Sequence, residues 1–161
     1  MKTTVYILVM LIYCFRLSGQ EFVHYDITEG LSSIEVNDII ENDNFLWIAT
    51  TDGLNRFDGR NFRVYKRENG AKNSLGENNI ETLFLDSSGL LWIGFKTGGV
   101  DIYDPRHNVF LHLDELIDQP CPSRVICIRE DSAHNIWLGT WEQGVYRLTP
   151  RPGAKKSFTA E

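Results

Sequence analysis

The chain lacks a long hydrophobic run. Its one apolar stretch, Val5–Phe15, has eleven residues, too few to span a bilayer core of about 30 Å. That excludes a membrane anchor and favours a secretory signal peptide over residues 1–19. Lys2 supplies the positive start and Ser18-Gly19 the small residues near a cut site. The protein is therefore expected to be periplasmic or secreted. Positive charge is also short: 16 Lys and Arg face 22 Asp and Glu, for a net charge of −6. With no basic stripe, nucleic acid is excluded as a partner, because its phosphates would be repelled. Of three cysteines, Cys14 lies in the leader, leaving Cys121 and Cys127. These read as two free thiols, with a disulfide as the alternative in an oxidising compartment. His24, His107, His112 and His134 are scattered without metal-ligand spacing. No nucleophile sits beside a base, and no motif pairs two carboxylates. No Gly-rich nucleotide loop or phosphoacceptor-His helix is visible. Catalytic residues, metal and cofactor are thus all expected to be absent, and the chain is not read as an enzyme.

What is present is repetition. Leu46-Trp47-Ile48-Ala49-Thr50 returns as Leu91-Trp92-Ile93-Gly94-Phe95 and as Ile136-Trp137-Leu138-Gly139-Thr140, with successive Trp residues 45 apart. A constant period of that size marks an array of supersecondary units, none able to bury its apolar face alone. In each unit an alternating segment (Val36–Glu41, Ile80–Leu85, Val125–Glu130) precedes a polar turn, such as Asp86-Ser87-Ser88-Gly89. The Trp segment follows, then a loop carrying Gly53, Gly99 or Gly144, then Leu54–Phe57, Val100–Tyr103 or Val145–Leu148. A fourth segment closes the unit as Phe62–Tyr65, Phe110–Leu113, and a weaker trace at Phe158. The acidic turns lack the alternating oxygen ligands of a calcium loop and read as turn chemistry. Four short strands in about 45 residues make one β-propeller blade. A β-sandwich would also string short strands together, but it does not predict the constant Trp spacing.

The repeats, with the lead-in Gly30-Leu31-Ser32-Ser33 and the run Asp52-Gly53-Leu54-Asn55-Arg56-Phe57-Asp58-Gly59, resemble the two-component regulator propeller repeat of periplasmic sensors in hybrid two-component systems. The likeness covers residues 22–148, with Ala49 in place of the usual Gly and Phe95 in place of the usual Thr. It implies an all-β chain of three four-stranded antiparallel blades, an open arc of a larger propeller of about seven blades. The divisions are 1–19 signal peptide, 20–29 orphan outer strand of a closing blade, 30–70 blade 1, 71–118 blade 2 and 119–161 blade 3. Phe22–Tyr25, a fourth strand with nothing before it, is expected to be poorly paired. The resemblance further implies a sensor of extracellular carbohydrate whose kinase and phosphorelay lie elsewhere. Its partners would be a glycan, the remaining blades and a second sensor chain. Rival readings are a secreted propeller enzyme of the virginiamycin B lyase type and a plain interaction scaffold.

Trp47, Trp92 and Trp137, placed inside apolar strands, read as packing between blades, each able to bury on the order of 200 Å². Gly53, Gly99 and Gly144 belong to the same repeat scaffold. Trp141 differs, standing in a loop where the other units have Thr51 and Lys96. In a propeller that loop shares one face with the blade-to-blade connections, so Asp52, Lys96, Trp141 and Glu142 should gather there. An aromatic face with carboxylates suits a sugar ring and its hydroxyls. These four are the expected ligand-binding residues.

Overall fold

A computed structural model describes residues 21–42 and 44–150, and the backbone of residues 158–160. It contains three four-stranded antiparallel sheets, each a simple meander. The first holds β1 (Val36–Asn42), β2 (Phe45–Thr50), β3 (Gly53–Phe57) and β4 (Phe62–Tyr65). The second holds β5 (Ile80–Leu85), β6 (Leu91–Phe95), β7 (Val100–Asp104) and β8 (Val109–His112). The third holds β9 (Val125–Glu130), β10 (Ile136–Thr140), β11 (Val145–Pro150) and β12 (Phe158–Ala160). A single 3₁₀ turn, Leu113–Glu115, follows β8. Among the described residues no helix is long and apolar enough to cross a membrane.

The turns that close the sheets are held by side chains. The Oδ1 of Asp86 accepts from the backbone N–H groups of Ser88 and Leu90 at 2.8 and 2.9 Å. Asp131 does the same for Ala133 and Asn135, both at 2.9 Å. The other oxygen of each carboxylate takes the indole N–H of the Trp six residues on. The distances are 2.8 Å from Trp92 to Asp86 and 2.7 Å from Trp137 to Asp131. One aspartate thus fixes the turn and the rotamer of the repeat's largest side chain.

The first strands stand side by side, β1 against β5 and β5 against β9. Each carries a register shift at its second residue, at Asn37, Glu81 and Ile126. A bulge re-aims the side chain it carries, and two of the three reach the next sheet. Asn37 donates through Nδ2 to the carbonyl of Ile80 at 2.7 Å, and Glu81 pairs with the guanidinium of Arg124 at 3.3 Å. Asp38 adds a forward bond, accepting the backbone N–H of Leu83 at 2.8 Å.

Between the sheets lie two apolar layers. Trp47, Leu54 and Tyr65 pack with Leu83, Leu91, Ile93 and Tyr103; Trp92, Val100 and Ile102 pack with Ile128, Ile136 and Leu138. Trp47 and Trp92 are fully buried there, but Trp137, bonded to its turn in the same way, is 38% exposed. The three stand in equivalent places on their second strands, and Trp137 differs in its cover. Trp47 and Trp92 are each covered by the following sheet, and among the described residues no sheet covers Trp137 in the same way. Phe22–Tyr25 forms no strand. Tyr25 instead sets its ring edge-on to Phe57 and Phe62 at 5.0 and 5.9 Å. Cys121 and Cys127 are both free thiols.

Candidate functional site

The loops between second and third strands lie on one face, each bonded to a blade-to-blade connection. The N–H of Gly53 donates to the carbonyl of Asn78 at 2.8 Å, and that of Lys96 to Asn79 at 3.0 Å. The N–H of Gly99 donates to Pro122 at 3.2 Å, and that of Trp141 to Arg124 at 3.1 Å. In the first and third sheets a threonine braces the loop, Thr50 to the carbonyl of Gly53 at 2.9 Å and Thr140 to that of Gly144 at 2.8 Å. Gly53 has φ of +127° and its absent Cβ would fall 2.8 Å from the carbonyl of Tyr65, so no other residue fits. Gly99 and Gly144 also hold positive φ.

All four expected ligand residues stand in these loops, but not as one cluster. Asp52 is engaged in bracing the connection: it pairs with Lys66 and accepts from Nδ2 of Asn78 at 3.2 Å. Lys96 meets the same connection one residue further on. Trp141 is 59% exposed, with the Arg124 guanidinium 4.4 Å from its ring centroid. Glu142 beside it is exposed. Among the described residues no hydrogen bond or ion pair joins the four to one another.

Two features of this face were missed in the sequence. Arg124 carries φ of +32° and its Nε is buried without a partner. It links Glu81 on one side to the Trp141 ring on the other, and so fixes the ring from beneath. The second feature lies in the middle sheet. Asp101 is buried, and its Oδ2 accepts the backbone N–H of Gly76 at 2.7 Å while Oδ1 meets Nδ1 of His112 at 2.7 Å. Burial raises the Asp101 carboxyl above its ordinary value, against the pull of its hydrogen bonds. The Asp101 carboxylate holds His112 above the usual imidazole value. Cys121, nearby, is pushed up to about 11 by burial, with the charges of Asp114 and Asp101 adding to it. The signal available was a single carboxylate in the apolar strand Val100-Asp101-Ile102-Tyr103.

Sheets braced first strand to first strand, with apolar layers between them and polar loops collected on one face, define the class: these are blades of a β-propeller. Residues 120–142 match the family described as Two component regulator propeller, carrying the resemblance onto the third repeat. Among solved structures the chain is similar to the extracellular domain of BT3049 from B. thetaiotaomicron, described as a hybrid two component system. That match has 26% identity and a TM-score of 0.68, and covers 79% of this chain and 18% of the other. It is also similar in fold to the extracellular domain of BT4673 from B. thetaiotaomicron, at 18% identity and a TM-score of 0.65, over 86% of this chain and 20% of that one. The chain thus spans about a fifth of the structures it matches. No curated protein matches it.

Proposed function

We propose that these blades belong to the N-terminal, periplasmic or extracellular part of a ligand-sensing propeller of a two-component signalling protein. The ligand is an oligosaccharide, bound on the loop face. The protein acts by binding and by contact with further blades and a second sensor chain, and the kinase chemistry resides elsewhere. The observation that best supports this reading is Trp141. A large aromatic side chain stands exposed in a loop whose counterparts carry Thr51 and Lys96, with Arg124 stacked near its ring. An indole held this way offers a rigid flat surface to a sugar ring. Glu142 supplies an acceptor at its side, and Lys96 and Asp52 extend the polar rim.

A glycan array probed with the full-length gene product tests the proposal. A defined set of oligosaccharides should be retained by the wild type and lost by Trp141→Ala. Retention of the same set by both proteins would remove the loop face from the reading, and retention of none would remove the glycan.

A further inference from the structure

A cavity of about 450 Å³ opens on the loop face at the rim of the middle blade. The connection 67–76 lines one part of it, and Phe95, Gly98–Asp101, His112, Asp114 and Cys121 line the rest. Trp141 takes no part in it, so a guest in this cavity is independent of the glycan reading.

The repeat supplies an internal control. In blade 1 the residue aligned with Asp101 is Asn55, and its cross-strand partner is Val64, where blade 2 pairs Asp101 with His112. Asn55 is fully buried and accepts the N–H of Ser32 at 2.9 Å. It pins its lead-in as Asp101 pins Gly76. The pin therefore needs only a neutral amide. Blade 2 instead buries a carboxylate, which costs free energy unless it is paired. Departures of this kind from the local rule concentrate at functional positions. The second oxygen of Asp101 orients the imidazole by holding Nδ1. That leaves Nε2 as the ring's other nitrogen, on a side chain 24% exposed in the cavity wall. Phe95, which replaces the loop-bracing threonine of the other blades, forms another part of that wall. With the His112 ring neutral, the charges along the cavity are unbalanced, with Glu68, Asp101 and Asp114 against Arg67. Negative charge is in excess, so an anion is the wrong guest.

We propose that this cavity binds a small molecule bearing a primary ammonium group, its N–H donors taken by the carboxylates of Asp114 and Glu68 and by Nε2 of His112. Asp101 is the positioning residue that holds the imidazole.

The test follows the His112 ring resonances in the full chain during titration with 1,4-diaminobutane and with its neutral isostere 1,4-butanediol. The diamine should give a saturable shift at His112, bind at least tenfold more tightly than the diol, and lower the His112 titration midpoint. Asp101→Asn/His112→Val copies blade 1 and should fold normally while binding the diamine at least tenfold more weakly. Asp114→Asn, at the cavity margin, should weaken binding in part and leave the pin untouched. Equal binding of diol and diamine, a diamine response that bypasses His112, or undiminished binding by both variants would overturn the assignment.

Discussion

The two tryptophans Trp92 and Trp137 allow a controlled measurement of what a neighbouring blade contributes. Both stand on the second strand of a blade and both donate to a turn aspartate, at 2.8 and 2.7 Å. Replacing either by alanine removes the same hydrogen bond, so that loss cancels between the two variants. What differs is cover. Trp92 is fully buried against the third blade, and Trp137 is 38% exposed. At roughly 25 cal/mol per Å² over about 200 Å², full burial of an indole is worth roughly 5 kcal/mol as an upper estimate. Trp92→Ala, which also leaves a cavity, should cost about 4 kcal/mol. Trp137→Ala loses about three-fifths of the transfer gain and leaves no closed void, so about 2 kcal/mol is expected. For a chain of this size the difference should separate the two melting temperatures by roughly 6–8 °C. Urea unfolding and thermal melts of the same preparations provide the assay. Equal losses would refute the claim that interblade burial, rather than the strand or the turn bond, holds these residues.

Further outcomes rest on the same geometry. Gly94→Ala places a Cβ 2.8 Å from a Thr82 methyl and 3.0 Å from the carbonyl of Val125; it should cost about 1–3 kcal/mol, whereas Gly98→Ala, with nothing within 4 Å, should leave urea unfolding unchanged. Mass-spectrometric mapping with a thiol reagent near neutral pH should label exposed Cys127 quickly and Cys121 slowly, since burial pushes the Cys121 thiol up to about 11; equal rates would contradict this. The Asp131 carboxyl is held below its ordinary 3.8, first by Asn135 and then by the Trp137 indole. A group lowered on folding stabilises above its unfolded value and loses that contribution as pH falls through the folded one. NMR titration should therefore find its midpoint below 3.8, and the Asp131–Trp137 bond intact through mild acid. Exposed Ile34, Ile39, Trp137 and Val145 should make residues 20–161 bind a hydrophobic dye; a preparation that binds none would mean these faces are covered in solution.

The blades were legible because their signals are local and repeated. An indole on the second strand and an alternating first strand, with a turn aspartate six residues before the indole in two units, need only short-range physics, and three Trp copies in register multiply the evidence. What stayed hidden depends on which blade faces which. Ala49 and Phe95 were visible only as departures from the pattern. Ala49 is opposite Asp38 rather than a threonine, which leaves room for its methyl where Gly94 has none. Phe95 gives up the loop brace and joins the core with Leu75. The loop face follows from the order of strands, but the pairing of Asp101 with His112 and the stacking of Arg124 on Trp141 need contacts across 11 and 17 residues of chain. No periodicity reports such pairs.

The bulged residues of the first strands have a consequence for how such an array can change. Asn37 offers a donor to the carbonyl ahead of it, Glu81 offers an acceptor to Arg124, and Ile126 offers neither. The first two units are therefore each keyed to their successor. If the first two units exchanged places, Glu81 would face a backbone carbonyl, acceptor against acceptor, and Arg124 would meet an amide. Units that look interchangeable in their tryptophans are ordered, in the first two, by one residue each, so exchanging those two would cost both forward contacts.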